Sequence, residues 1–295
     1  MLTVLDLAYM ARDVYYSDNQ TRARAKVDGT TVFVPAHVHR VDNGPRHAST
    51  GFAAAVYRAY GRLVVTFRGS GAPFADNDDW AHNASMHSMA ASQFQPAIVF
   101  AVKALVANRA EPGQVIFCGH SLGGGLAQYV SHMLTRQNKP PHVTVVFNAP
   151  GLVANTLHRT GLDVASMVLE STPTWLGLDA PTRPRKDLPH TGGMSGPIHH
   201  VDVKGDVVSA RAIAGPTGRV HLLDPAKLDR RGTSGDAAKV SDAPSDATMR
   251  AALGRDHVAD DAAGGVAHNH YCHKMDTVIA CLRSSPLGRK APEAL

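Results

Sequence analysis

The sequence predicts an α/β fold in which helices cover both faces of a mostly parallel central sheet. Short apolar runs recur along the chain, as expected for strands that are buried on both faces. Segments with helical apolar spacing lie between several of these runs. The 295 residues are 44% hydrophobic, which is enough for one large domain with a sizeable core. We therefore expect residues 1–295 to form a single domain.

The predicted elements alternate between strands and helices along most of the chain. The first is a surface helix with one apolar face, formed by Leu2, Leu5, Ala8, Tyr9 and Arg12. The predicted strands are residues 52–57, 63–67, 115–118, 143–147, 198–203 and 220–223. The predicted helices are residues 95–108, with Pro96 in the first turn, and residues 122–134.

Two long segments fall outside this alternation. Residues 152–197 are rich in Pro, Gly and Thr, and residues 225–267 are rich in Asp, Ala and Gly. Both are longer than ordinary connections between elements. We expect the first to be a cap or lid insertion and the second to be a flexible insertion.

Charge and apolar run length exclude several classes of protein. The net charge is +5, but the basic residues are scattered apart from a small cluster at Arg183, Arg185 and Lys186. Without a basic stripe interleaved with aromatics, we expect no nucleic-acid partner. No run reaches the length of a transmembrane helix. Asp6 interrupts the first apolar stretch and no basic region precedes it, so we expect no Sec signal peptide.

The stretch Gly-His-Ser-Leu-Gly, residues 119–123, contains the candidate nucleophile Ser121. The G-x-S-x-G pattern is weak alone, but here it follows a predicted buried strand and opens a predicted helix. A nucleophilic serine on a strained strand-to-helix turn requires this context. Gly124 and Gly125 each cost a helix about 1 kcal/mol relative to Ala, which indicates close packing or close approach of a ligand.

A serine nucleophile needs a base and an acid that orients it, and in this arrangement they follow in the order Ser, acid, His. Asp206 follows a predicted strand and is the preferred acid. Asp202 is interpreted as structural, and Asp224 is the third choice. Among 17 histidines, His273 directly precedes an apolar helical pattern and is the preferred base.

Other residues near His273 leave alternatives open. His268 and His270 lie close enough in sequence to replace it as the base. His268, His270 and Cys272 alternate, so on a strand they would share a face and could bind zinc. The spacing matches no common zinc pattern, and we expect neither a metal nor an organic cofactor.

Several blocks in order resemble the class 3 lipase family, the fungal-type lipases and their bacterial and plant relatives. The blocks are VVTFRGS (64–70), Asp-Trp followed by Asn83, GHSLGG, VVFNAPG (145–151), GDVVS and HKMDTVIACL, which together span roughly residues 50–282. The resemblance implies an α/β-hydrolase fold and a serine carboxylic-ester hydrolase with Ser121, Asp206 and His273 as its catalytic residues.

The same resemblance implies further site residues. Ser70 would be one oxyanion donor, through its backbone N–H alone or together with its hydroxyl, and the backbone N–H of Leu122 would be the other. A lid would follow Ser70, with residues 71–88 as the candidate and Phe74 and Trp80 as its apolar contacts. His120 is a further candidate for substrate contact. Gly205 and Ser209 depart from the family's usual Asn and Pro in the block that contains the acid.

The stretch GFAAAVYR, followed by FRGS, is most similar to the sequences of bacterial phospholipases. This resemblance implies a glycerophospholipid substrate at a membrane surface and phospholipase A-type cleavage. The alternatives are a triacylglycerol lipase, a soluble-ester carboxylesterase or, more remotely, an inactive hydrolase-fold binding protein. The resemblance further implies a secreted effector that stays cytoplasmic until a leader-independent route exports it. Its protein partner would be a secretion-apparatus component or an immunity-type protein.

Overall fold

The computed structural model describes residues 1–16, 34–44, 51–69, 86–135, 142–150, 197–204, 206, 218–225 and 275–295. The strands within these ranges are β1 (His39–Asn43), β2 (Ala54–Ala59), β3 (Arg62–Phe67), β4 (Val115–His120), β5 (Val143–Phe147), β6 (Ile198–Val203) and β7 (Arg219–Leu223). The helices are α1 (Val4–Asp13), α2 (Met86–Ala107), α3 (Leu122–Thr135) and α4 (Met275–Ser284). Short 3₁₀ turns cover Pro112–Gln114, Pro286–Arg289 and Pro292–Ala294.

The described strands form one seven-stranded sheet whose spatial order equals their order along the chain. β1, β2 and β3 pair antiparallel, and β3 through β7 pair parallel. The predicted mostly parallel sheet is therefore confirmed. Because β4, β5 and β6 are parallel neighbours, their carboxyl ends lie along the same edge of the sheet.

Two apolar clusters cover the two faces of this sheet. One face packs against α2 and α3, with Phe67, Phe117 and Val146 among the sheet residues that contribute. The opposite face packs against α1 and α4, with Ile116 and Phe147 among its contributors. Alternate residues of β4 thus enter opposite clusters, which explains why this strand is apolar almost throughout.

The first helix differs from the prediction. It is not a surface helix with a single apolar face, because the sheet and α4 enclose it on several sides. Leu2 and Ala8 of the predicted face are buried, whereas Leu5 and Tyr9 are only partly buried. Side chains outside that face are buried as well, including Val4, Leu7 and Met10. The side chain of Thr3 caps the helix through the N–H of Asp6, and the Asp6 carboxylate accepts from the N–H of Thr3. Asp6 therefore interrupts the apolar run because it closes a capping box.

Two further elements differ from the prediction. β1, with the sequence HRVDN, was not predicted because it lacks an apolar alternation. The helix predicted from residue 95 begins at Met86, so Pro96 lies inside α2 rather than in its first turn. None of the helices among the described residues combines the length and apolar character needed to cross a membrane. The segments expected to act as lids or insertions lie mostly outside the described residues.

Candidate active site

Ser121 occupies the turn between β4 and α3 with a φ of 54°. This left-handed backbone conformation is unusual for a residue with a side chain and is strained. Hydrogen bonds hold it on both sides: the N–H of Ser121 donates to the Phe147 carbonyl oxygen at 3.0 Å, and the Ser121 carbonyl accepts from the N–H of Gly124 at 2.9 Å. The strand–turn–helix context predicted for Ser121 is present.

The glycines of the motif allow three backbone segments to approach closely. A Cβ on Gly119 would lie 2.3 Å from the carbonyl oxygen of Gly123, and one on Gly123 would lie 2.2 Å from that of Phe67. Any larger residue would therefore push the turn away from α3 or from β3. The motif glycines are required by packing around the turn.

Gly124 and Gly125 differ from each other. A Cβ on Gly124 would lie 2.4 Å from the Cβ of Ala149, so close packing explains this glycine. A Cβ on Gly125 would meet only Pro150, at 3.7 Å, which is ordinary van der Waals contact. The close-packing interpretation therefore holds for Gly124 and does not hold for Gly125.

Asp206 lies just past the carboxyl end of β6, two strands away from the strand that leads into Ser121. It is buried, and its N–H donates to the Val203 carbonyl oxygen at 2.9 Å, which turns the chain sharply after the strand. With neighbouring strands about 4.8 Å apart, the ends of β4 and β6 are separated by about 10 Å. An imidazole placed between the two carboxyl ends would span this separation.

Asp202 and Asn148 join the ends of β5 and β6. The side-chain oxygen of Asn148 accepts from the N–H of Val203 at 2.8 Å, and Asn148 itself has a φ of 44°. Burial, and next the nearby charge of Asp206, raise the pKa of Asp202 to about 7. Smaller opposing effects come from the backbone N–H groups of Asn148 and Ala149. Asp202 thus contacts the backbone at the end of the neighbouring strand.

His120, the residue before Ser121, contacts a side chain that the sequence did not indicate. The hydroxyl of Tyr15 lies 2.9 Å from His120 Nδ1, and the two rings meet edge to face. The N–H of Gly69 donates to the same phenol oxygen. No local pattern could have identified Tyr15, because it is 105 positions away from His120 in sequence.

The helix α4 begins two residues after His273 and is fixed to α1. Arg12 forms an ion pair with Asp276 in the first turn of α4, and the guanidinium of Arg283 donates to the Tyr9 hydroxyl. His273 itself lies outside the described residues, as do Ser70, Phe74, Trp80, His268, His270 and Cys272.

The described part of the site therefore brings Ser121, Leu122 and Asp206 to one edge of the sheet. Leu122 opens α3, so its N–H is one of those that a helix leaves without an intrahelical acceptor. Such N–H groups, with the positive end of the helix dipole, favour negative charge. Among the described residues, no three His, Cys, Asp or Glu side chains form a group that could hold a metal ion.

Comparison with known proteins identifies a matching family and a relative. Residues 6–209 match the Tle-like phospholipase domain, a phospholipase-like family, over more than half of the chain. An extracellular phospholipase A1 of Serratia liquefaciens is 30% identical over 166 residues, covering 54% of this chain and 46% of that protein. The chain thus spans about half the length of this curated relative.

Remote similarity to solved lipase structures also exists. A fungal lipase–inhibitor complex is 12% identical with a TM-score of 0.45, covering 74% of this chain and 78% of that one. The Lip2 lipase of Yarrowia lipolytica is 13% identical with a TM-score of 0.44, covering 74% and 76% of the two chains. On the family match over residues 6–209, the chain belongs to the Tle-like phospholipase domain family.

Proposed function

We propose that this chain is a lipolytic serine hydrolase that cleaves the carboxylic-ester bonds of glycerophospholipids in phospholipase A fashion. The observation that carries the proposal is the backbone of Ser121, held at a φ of 54° between a buried parallel strand and a helix. Strain of this kind persists only when the surroundings impose it, and it is concentrated at functional sites. The family match and the phospholipase A1 relative support the substrate class.

The reaction proceeds by two acyl transfers. In the first, the Ser121 Oγ attacks the ester carbonyl carbon while His273 takes the hydroxyl proton. The tetrahedral intermediate then collapses, the bond to the alcohol oxygen breaks, and His273 returns the proton to the leaving lysolipid. In the second, water attacks the acyl-enzyme with His273 again as the base, releasing a fatty acid and restoring Ser121.

Two other groups support this chemistry. The N–H groups of Leu122 and Ser70 stabilise the oxyanion, and removal of one such donor from a serine hydrolase costs about 3 kcal/mol of transition-state stabilisation. Asp206 holds His273 in the tautomer that can accept the serine proton and stabilises the imidazolium. The burial of Asp206 supports this role, because a carboxylate shielded from water acts strongly on one neighbour.

The first experiment tests the nucleophile. A Ser121→Ala variant should lose activity on a p-nitrophenyl ester and on phosphatidylcholine vesicles by at least about 10⁴-fold, and it should not be labelled by a fluorophosphonate probe. Ser131→Ala is the matched control, because Ser131 is a buried serine of α3, the helix that follows Ser121, and its hydroxyl lies 3.5 Å from the His142 carbonyl oxygen. Retained activity in Ser121→Ala would refute the proposed mechanism.

The second experiment identifies the acid and the base. Asp206→Asn should lower kcat by about 10⁴-fold, as loss of the orienting acid does in serine hydrolases. Asp202→Asn and Asp224→Asn should retain most activity. Among the histidines, His273→Ala should be inactive and His270→Ala active. If His270→Ala were inactive and His273→Ala active, the assignment of the base would move to His270.

The third experiment identifies the ester. From phosphatidylcholine with different acyl chains at its two glycerol positions, we expect release of one of the two fatty acids. This release should be faster than fatty-acid release from a trioctanoin emulsion. Faster trioctanoin cleavage would favour a triacylglycerol lipase. Saturation kinetics without a rate increase above the micelle threshold would favour a soluble-ester esterase.

We extend the proposal to the site of action. The Serratia liquefaciens relative is named an extracellular enzyme, which supports action outside the producing cell. Export without a Sec leader, and a secretion-apparatus or immunity-type protein partner, remain predictions from the sequence. Comparing the chain in culture supernatant and cell lysate, with a cytoplasmic marker enzyme as the control for lysis, tests the export.

A further inference from the structure

Three segments from different parts of the chain meet at the phenol oxygen of Tyr15. Tyr15 follows α1, Gly69 follows β3, and His120 ends β4. The phenol oxygen lies 2.9 Å from His120 Nδ1. A Cβ on Gly69 would lie 2.4 Å from this oxygen and 2.7 Å from the His120 carbonyl oxygen, so the segments are in full contact.

The contact lies next to the two groups that the proposed mechanism uses most directly. The position of a Cβ on Gly69 is only 3.2 Å from the Ser121 Cβ, so Gly69 packs directly against the candidate nucleophile. Ser70, the proposed oxyanion donor, is the next residue after Gly69. Any shift of Gly69 relative to His120 therefore changes how the segment after β3 packs against Ser121.

The phenol of Tyr15 is hydrogen-bonded to both neighbouring segments. Its oxygen accepts from the N–H of Gly69. The same hydroxyl is hydrogen-bonded to His120 Nδ1 at 2.9 Å. Burial raises the pKa of Tyr15, against smaller lowering effects of Arg68 and Gly69, so the phenol is neutral at working pH.

We propose that Tyr15 is a positioning residue of the hydrolase: its hydroxyl joins the segment after β3 to the turn at Ser121 and so holds Gly69 in place against the nucleophile. This inference rests on the proposed function. It assigns a role in the reaction to the segment that directly follows α1, which contains none of the proposed catalytic residues. Tyr15 makes no contact with the reacting atoms in this role and acts through Gly69 and His120.

Geometry indicates the size of the effect. A misplacement of about 1 Å at a reacting centre can cost about 100-fold in rate. Removing the Tyr15 hydroxyl leaves the ring in place and permits a smaller shift. We expect Tyr15→Phe to lower kcat for a soluble p-nitrophenyl ester by about 10-fold or more, with KM within about 2-fold. Inactivation by a fluorophosphonate should slow by a similar factor, because that reaction uses the same nucleophile and oxyanion donors.

A matched control exists in Tyr57. Its hydroxyl is also buried and also joins α1 to the sheet, through a 2.8 Å hydrogen bond to Asp13 Oδ2. Tyr57→Phe removes the same atom from the same helix–sheet interface but away from Ser121. Both variants should lose similar thermal stability, and only Tyr15→Phe should lose kcat. Equal kcat for Tyr15→Phe and wild type, or an equal loss in Tyr57→Phe, would overturn the inference.

Substitutions at His120 provide a second, independent measurement. His120→Asn retains a hydrogen-bonding group near the position of Nδ1 and should lose less kcat than His120→Leu does. His120→Leu removes the hydrogen-bond partner of Tyr15 and should match Tyr15→Phe, and the double variant Tyr15→Phe/His120→Leu should be no slower than either single variant. If the losses of kcat in the two single variants added up fully in the double variant, the coupling between Tyr15 and His120 would be refuted. If Ser121→Ala stayed active, the proposed function would fail, whereas an inactive Ser121→Ala with a wild-type Tyr15→Phe rejects this inference alone.

Discussion

Replacing Gly124 and Gly125 separately with alanine should change stability in opposite directions. In Gly124→Ala the new methyl would lie 2.4 Å from the Ala149 Cβ and 3.1 Å from the Val146 Cβ. Carbon atoms pack best at about 3.5–4.0 Å, so α3 must move by about 1 Å. Such overpacking costs about 1–3 kcal/mol, against about 1 kcal/mol gained from better helix propensity. In Gly125→Ala the methyl would lie 3.7 Å from Pro150, which is ordinary contact. This variant therefore keeps the gain from helix propensity without the cost of overpacking.

The assay is urea unfolding, followed by far-UV circular dichroism, together with thermal melting. The two variants should differ by about 2 kcal/mol in the free energy of unfolding, which is about 3 °C in Tm for a chain of this size. Gly124→Ala should also lose kcat, because the shift moves the first turn of α3 next to Ser121. If Gly124→Ala were as stable and as active as Gly125→Ala, the described packing of α3 against the end of β5 would be refuted.

Three further predictions concern the neighbouring strand ends. Asn148→Ala should destabilise the fold by about 1–3 kcal/mol, measured by urea unfolding, because the buried N–H of Val203 loses its acceptor. Burial and the Asp206 charge raise the pKa of Asp202 to about 7, so its contribution to stability is lost as pH rises through 7. Asp202→Asn should therefore gain stability relative to wild type between pH 4 and pH 8, by a few kcal/mol at most, and an unchanged difference across that range would contradict this. Burial lowers the pKa of His199 and of His200 to about 4, so their contribution is present above pH 6.5 and lost as pH falls toward 4. His200→Gln should lose less stability than wild type between pH 7 and pH 4.5 in the same assay.

The sequence predicted most of the sheet because its strands are buried on both faces. The predicted and observed bounds of β5 and β6 coincide, and those of β3, β4 and β7 differ by one or two residues. The polar edge strand β1 gave no such signal. The buried face of α1 was predicted wrongly because α4 covers a second side of the helix, and contacts between distant segments leave no local periodicity.

The candidate site was predictable where a motif requires a particular backbone. The G-x-S-x-G pattern predicted the turn at Ser121, and the pattern of a strand followed by an acid predicted the position of Asp206 after β6, where the structure buries it. The contacts of Tyr15 and Asn148 were not predictable. Tyr15 meets His120 across 105 positions, and Asn148 accepts from Val203 across 55 positions. Such pairings are decided by packing of the whole sheet.

The contact between α1 and α4 also bears on the order in which the molecule assembles. Arg12 and Asp276 are 264 positions apart, so closing that loop in an otherwise unfolded chain costs about 2 kcal/mol more than closing a loop of 20 residues. The sheet grows between neighbours in the chain and can form before this contact does. We therefore expect α1, which precedes every described strand, to reach its final packing late in folding. If Tyr15 acts as proposed, enzymatic competence arises in that late step rather than when the turn at Ser121 first forms.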